Sequence, residues 1–145
     1  MRDKKVKNSA ANTLFLVALE VELPAATFPS LNIQYTGVGK VNAAYHAMKN
    51  IIAYKPEIVI NFGSAGAVHS NIVGLVQVQS VIQRDMDVTG LGFMRGETPF
   101  EQDPPFIIQQ QNVEFNPIGR NATCGTGDNF AEDKSQYYGE VVDME

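Results

Sequence analysis

Two short apolar runs on either side of a helical pattern constrain the fold of this chain most. Residues 14–19 and 58–62 are almost continuously apolar, which is typical of strands buried on both faces. Between them, a helical pattern starts near Lys40 and ends at Lys55-Pro56. Parallel strands need such a crossover, so this order predicts an α/β fold with a parallel sheet.

The predicted helix is amphipathic. Its apolar side holds five residues at spacings of three and four: Val41, Ala44, Met48, Ile51 and Ile52. The opposite side is polar: Lys40, Asn42, His46, Lys49 and Asn50.

Other segments carry weaker signals. Strand patterns cover three of them: residues 32–36, residues 76–82 and the chain from 141 onward. Residues 90–117 read as irregular, because glycine and proline interrupt them. Asn129 and Glu132 have the spacing of a capping box and predict a short helix.

Charge and cysteine content limit the class of ligand and the cellular compartment that can be expected. Eleven Lys+Arg against 16 Asp+Glu give a formal charge of −5 over 145 residues, which argues against nucleic acid or an anionic membrane as partner. A small molecule is the expected ligand. The single cysteine, Cys124, fits a reducing, cytoplasmic setting.

The N-terminus could be mistaken for a secretory signal, because basic residues precede the first apolar run. Glu20 and Glu22 cut that run short, which favours a buried strand. We therefore expect a polar leader over residues 1–12 and one α/β domain over residues 13–145.

The segment Gly37-Val38-Gly39-Lys40 suggests either a tight turn or an anion site at a helix start. A P-loop would need glycine at position 34 and Ser or Thr at 41, where the chain has Gln34 and Val41. A dinucleotide fingerprint would need a glycine where Asn42 stands. The tight turn is the favoured interpretation.

Polar groups follow two of the predicted strands. Residues 63–66 (Gly-Ser-Ala-Gly) would bring amides and a hydroxyl to the carboxyl end of the sheet, where α/β sheets bind ligands, or would form a simple small-residue turn. Glu20 and Glu22 lie two residues apart, so one could point to the same edge while the other faces away. Alternatively, they are carboxylates at a helix start, stabilised by the helix dipole. For Asp85 and Asp87, surface solvation is the favoured explanation, and no Cys, His or carboxylate spacing resembles a zinc site.

Six segments form a recognisable series when taken in order: residues 18–22, 37–44, 60–66, 85–89, 127–130 and 142–145. Each is weak alone, but their order is specific. The series resembles the nucleoside phosphorylase and nucleosidase superfamily. Within it, the chain is most similar to the 5′-methylthioadenosine/S-adenosylhomocysteine nucleosidases, over nearly all of residues 13–145.

The resemblance implies a single domain with a central mixed, largely parallel sheet flanked by helices. It also implies cleavage of the purine–ribose bond of a nucleoside through an oxocarbenium-like transition state, with no cofactor or metal. The partner would be a small-molecule purine nucleoside of methionine salvage, with no nucleic acid or membrane. A homodimer or higher homo-oligomer is expected.

The resemblance also assigns roles to residues. Glu22 matches the water-activating glutamate, a suitable base because its charge also stabilises the developing cation. Ser64, Ala65 and Gly66 match the loop beside the ribose and water. For the purine, Phe130 matches the aromatic residue that stacks on the base, and the Ala131 backbone would bind the base edge. For the ribose, Met144 would pack on the sugar and Glu145 would accept hydrogen bonds from both hydroxyls.

Charge favours hydrolysis over phosphorolysis. A phosphate site needs arginines, and none of the four arginines (Arg2, Arg84, Arg95 and Arg120) matches one. Asn61 stands where phosphorylases carry an arginine, and Glu22 would repel phosphate. A phosphorylase and a non-catalytic nucleoside-binding remnant are the alternatives.

The chain stops at Glu145, before the segment in which the family carries its general-acid aspartate. It is also shorter than the family between residues 22 and 37 and between residues 93 and 121. We expect either a fragment of a longer enzyme or a reduced relative that has lost catalysis. Because the general-acid region is absent, an inactive chain is one of the open alternatives. The terminal strand would then be an unpaired edge that needs cover, which also favours oligomerisation.

Overall fold

The computed structural model describes residues 12–100, 121–133 and 139–145. The chain forms two compact units, divided between Ser64 and Ala65. The described strands form two largely parallel sheets, and the described ranges include one α-helix. The predicted α/β class is confirmed. None of the helical structure in these ranges is long and apolar enough to cross a membrane.

The first unit has a three-stranded parallel sheet. β1 (Thr13–Val17) lies between β2 (Asn32–Tyr35) and β3 (Ile58–Asn61). Leu14, Leu16 and Val17 are buried in this central strand, which explains the continuous apolar run. All three predicted strands are confirmed. Because they run parallel, their carboxyl ends share one edge of the sheet.

The helix α1 (Lys40–Tyr54) has the predicted bounds. Gly39 precedes it at φ 101, a backbone conformation that glycine adopts without strain. In the turn, the Asn42 side chain donates to the Val38 carbonyl at 2.7 Å. The favoured tight-turn interpretation agrees with this geometry.

The apolar side of α1 is not buried, contrary to what its amphipathic pattern implies. The side chains of Val41, Met48 and Ile52 are 79%, 60% and 65% exposed, whereas Asn50, expected on the polar side, is buried. Burial of Asn50 is tolerated because its amide donates to the His46 carbonyl at 2.8 Å.

The second unit has a four-stranded sheet in the order β4-β7-β6-β5. Its strands are β4 (Gly66–Ala67), β5 (Gln77–Gln83), β6 (Asn121–Thr126) and β7 (Val141–Asp143). β5, β6 and β7 run parallel, and β4 pairs antiparallel with β7. Ala122, Cys124 and Val141 form its buried apolar cluster.

Two expectations for this unit are wrong. β7 is paired on both sides, so the terminal strand is not an unpaired edge, because β4 occupies its second side. Residues 128–133 contain no helix, since the Asn129 side chain accepts a hydrogen bond from Arg84 and caps no helix.

Other expectations are tested only in part. Residues 90–100 contain turns and the end of a single 3-10 turn at Thr89–Leu91, as the irregular reading predicts. The rest of that stretch lies outside the described residues. Residues 1–11 of the expected leader, which include Arg2, also lie outside the described residues, as does Arg120. The single domain over residues 13–145 stays a prediction.

Candidate active site

Glu22 lies in the turn that follows β1. The Glu22 N–H donates to the Leu19 carbonyl at 3.0 Å, and the Leu19 N–H donates to Glu22 Oε2, also at 3.0 Å. This reciprocal pair closes the turn and fixes one carboxylate oxygen. Glu20, two residues earlier, is exposed, so the two glutamates lie in different environments.

Ser64 follows β3 at the same edge of the sheet. Its N–H and its hydroxyl both donate to Glu22 Oε1, at 2.7 and 2.5 Å. The contact joins residues 42 apart in sequence, and it exists because β1 and β3 are parallel neighbours. The structure thus brings together two residues that the sequence analysis named separately.

These hydrogen bonds decide the charge of Glu22. Partial burial acts to raise the pKa of this carboxyl, but the bonds from the Ser64 hydroxyl, the Ser64 N–H and the Leu19 N–H outweigh burial and hold the pKa below its ordinary value of 4.5. Glu22 is therefore an oriented carboxylate at neutral pH. Three donors hold it, and each carboxylate oxygen can accept more than one hydrogen bond.

The remaining residues matched by the resemblance lie in the second unit. Ala65 directly precedes β4, and Gly66 is the first residue of that strand, where it pairs with Val142. A side chain at Gly66 would meet Val142 Cγ2 at 3.2 Å, so this close strand approach favours glycine.

The expected purine and ribose residues follow β6 and β7. The ring of Phe130 is 75% exposed and Ala131 is half-buried. Met144 and Glu145, both half-buried, follow β7, and the Thr126 hydroxyl donates to the Glu145 carbonyl. The roles of these residues stay predictions.

Sequence reasoning missed Arg84 as a neighbour of these residues. Its side chain is 2% exposed, and its guanidinium donates to the Asn129 side chain, the Asn129 carbonyl and the Asp143 carbonyl. The available signal was an arginine two residues after the strand pattern 76–82 and directly before the matched segment 85–89. Hydrogen bonds to protein oxygens occupy both terminal nitrogens of this cation.

The two aspartates after β5 differ. Asp87 is exposed, and its pKa is lowered chiefly by hydrogen bonds from the Thr89 hydroxyl and N–H, in accord with the surface interpretation. Asp85 instead accepts from the Asp128 N–H at 2.8 Å, so it joins the β5 end to the loop after β6. Asp85 is half-buried, so surface solvation accounts for only part of its environment.

Cys124 is not a nucleophile in this environment. Burial raises its pKa far above the ordinary range for a thiol, and the negative charges of Asp143 and Glu145 act in the same direction. Across the described ranges, His, Cys, Asp and Glu form no group of three or more that could hold a metal ion. Within the described ranges, Glu22 has an oriented, ionised carboxylate of the kind that activates water.

The fold and these residues define the class of protein. The model of the Phosphorylase superfamily matches residues 26–143, and the chain belongs to this superfamily.

Within the superfamily, the chain is similar to curated 5′-methylthioadenosine/S-adenosylhomocysteine nucleosidases. That of Marinomonas sp. is 42% identical over 108 residues, which cover 68% of this chain and 47% of the relative. That of Bacillus licheniformis is 34% identical over 109 residues with the same coverage, and that of Hydrogenovibrio crunogenus is 48% identical over 66 residues, 44% of this chain and 28% of the relative. The chain spans about half or less of these relatives.

Solved structures share the fold. The 5′-methylthioadenosine/S-adenosylhomocysteine nucleosidase of Campylobacter jejuni has a TM-score of 0.74 at 20% identity and covers 92% of this chain and 75% of that one. A futalosine hydrolase mutant of Helicobacter pylori has a TM-score of 0.74 at 18% identity, with 92% and 79% covered. The predicted nucleoside phosphorylase-like fold is confirmed.

Proposed function

We propose that this protein hydrolyses the N-glycosidic bond of 5′-methylthioadenosine or S-adenosylhomocysteine and releases adenine. The carboxylate of Glu22, ionised and oriented by Ser64 and Leu19, is the observation that carries the proposal. The curated relatives named as such nucleosidases support the substrate class.

In the proposed reaction, Glu22 accepts a proton from a water molecule whose oxygen adds to C1′ of the ribose. The C1′–N bond breaks, its electron pair goes to the purine, and the purine takes up a proton from bulk water to leave as adenine. Glu22 then returns its proton to bulk water. Positive charge builds on the ribose as this bond lengthens, and a nearby carboxylate stabilises it. Ser64 holds Glu22 in place, so the carboxylate needs little reorganisation.

The remaining roles follow the resemblance. Phe130 would stack on the purine, the Ala131 backbone would read the base edge, Met144 would pack on the sugar, and Glu145 would accept the ribose hydroxyls. Ala65 and Gly66 would belong to the loop beside the ribose. A cytoplasmic setting, a place in methionine salvage and a homodimer or higher oligomer belong to the same proposal.

Replacing Glu22 tests the proposal. We expect Glu22→Gln to bind 5′-methylthioadenosine within about threefold of the unmodified chain while adenine release falls at least ~10²-fold, because the amide cannot accept the water's proton. The matched control is Glu20→Gln, which makes the same charge change two residues away on an exposed side chain. Adenine is followed by chromatography and binding by calorimetry.

Two outcomes would overturn the proposal. Adenine release that survives in Glu22→Gln would remove Glu22 as the base. Saturable binding with no product from the unmodified chain would instead indicate a nucleoside-binding protein without catalysis.

A further inference from the structure

Arg84, directly after β5, is a large, fully buried cation in the second unit. Its Nη1 donates to Asn129 Oδ1 at 2.8 Å, and its Nη2 donates to the carbonyls of Asn129 and of Asp143, the latter at 3.2 Å. Its own N–H donates to the Thr126 carbonyl at 2.9 Å. One side chain therefore ties together two segments that lie 45 and 59 residues further along the chain.

Both carbonyls belong to peptide groups that lead into residues of the proposed function. The Asn129 carbonyl is in the peptide bond to Phe130, and the Asp143 carbonyl is in the peptide bond to Met144, next to Glu145. Phe130 is 75% exposed, so packing of its side chain does little to fix it, and the peptide group before it is the part that Arg84 holds.

We propose that Arg84 is a positioning residue that fixes the backbone before Phe130 and before Met144, and so sets the geometry with which the purine and the ribose are bound. The inference rests on the proposed function for the roles of Phe130, Met144 and Glu145. Arginine suits the task because its planar guanidinium presents several donors in fixed directions, whereas lysine presents a compact ammonium.

The free-energy cost of burying the Arg84 guanidinium is consistent with a positioning role rather than a stabilising one. Burying a cation against neutral oxygens is costly, and Arg84 Nε has no hydrogen-bond partner among the described residues. An apolar side chain would fill the space without that cost. The loop also passes very close: a Cβ at Gly127 would lie 2.9 Å from Arg84 Cζ. The sequence accommodates this guanidinium by placing glycine where the loop crosses it.

The test compares Arg84→Met, which keeps the length of the side chain and removes the donors, with Arg84→Lys and with Val78→Ala. Val78 packs against the apolar cluster of the same unit and has no contact role in the proposal. Adenosine binding is measured by calorimetry and thermal stability by circular dichroism. We expect binding to weaken at least tenfold in Arg84→Met and less in Arg84→Lys, and to stay within twofold in Val78→Ala although its melting temperature falls.

A second measurement does not depend on the ligand. In the ligand-free chain, ¹⁵N relaxation should give rigid order parameters, near ~0.85, for the amides of Phe130 and Met144, and Arg84→Met should lower them toward ~0.6. If Arg84→Met fails to fold, Asn129→Ala removes one acceptor on an exposed residue and should lower the Phe130 order parameter alone.

The outcomes separate this inference from the proposed function. Weakened binding with unchanged order parameters overturns the positioning role, as does equal weakening in Arg84→Met and Val78→Ala. If the unmodified chain binds no adenosine while Arg84→Met still loosens both segments, the proposed function fails and the anchoring by Arg84 stands.

Discussion

At the scale of single residues, the chemistry depends on how one carboxylate is held. Glu22 accepts hydrogen bonds from two backbone N–H groups and one hydroxyl. The backbone donors follow from the fold, since they come from the turn after β1 and the end of β3. The hydroxyl depends on the identity of residue 64, so it is the donor that a substitution can remove alone.

We expect Ser64→Ala to raise the pKa of Glu22, because the Oγ donor is lost while the N–H donor remains. The check is a ¹³C titration of the glutamate carboxyls by NMR, with Ser70→Ala, an exposed serine in the other unit, as the control. An unchanged Glu22 titration in Ser64→Ala would contradict the assigned cause.

The lowered pKa of Glu22 also makes the stability of the fold depend on pH. Because folding lowers this pKa, Glu22 stabilises the folded state at pH values above its unfolded-state pKa of about 4.5, and this contribution is lost as pH falls through its folded-state pKa. Ser64→Ala should therefore lose part of the stability measured at neutral pH and little of it in acid. Urea unfolding at both pH values measures the difference.

At the scale of elements, strands that are rich in apolar residues can be predicted from the sequence. A strand such as β6, which is buried because of its place in the sheet rather than its composition, cannot. β1 is visible as an apolar run because its residues are buried between β2 and β3. β3 is equally visible, but the expectation that it is buried on both faces is wrong, since it lies at the edge of the sheet and Val59 is 42% exposed. β6 reads Asn-Ala-Thr-Cys-Gly-Thr, with small residues and no alternation, yet it is buried because it lies between β5 and β7.

Long-range polar contacts are also hidden from the sequence. The capping-box pattern at Asn129 predicts a helix, but the Asn129 side chain instead accepts a hydrogen bond from Arg84, which is 45 residues away in sequence. Glu22 and Ser64 could be named from their motifs, whereas their mutual hydrogen bonds depend on the pairing of β1 with β3. The spacing of apolar residues along α1 predicts that the apolar side is buried, and nothing in that spacing indicates that it is exposed.

The close approach of β6 and the start of β7 gives a test at this scale. Gly139 has φ +110, and a Cβ there would lie 2.6 Å from the Thr123 carbonyl oxygen. Gly139→Ala should cost about 1–3 kcal/mol more than Gly74→Ala, which shares the positive φ but meets nothing within 4 Å. Urea unfolding of both variants measures this, and equal losses would show that the contact is not tight.

At the scale of the whole molecule, the charge of the chain argues against the nucleophile to which the superfamily's name refers. The chain belongs to the Phosphorylase superfamily, whose name refers to phosphate as nucleophile, but the chain carries a formal charge of −5 and has Asn61 at the end of β3. Arg84, which donates to the carbonyl that precedes the expected ribose residue Met144, is already bound to protein oxygens. Water is therefore the expected nucleophile.

The most direct measurement is product analysis of 5′-methylthioadenosine incubated with the protein in buffer without phosphate and again with phosphate added. Hydrolysis predicts adenine and the free thio-sugar at the same rate in both buffers. Adenine that forms only with phosphate, together with a sugar 1-phosphate, would contradict the account and assign the protein to phosphorolysis.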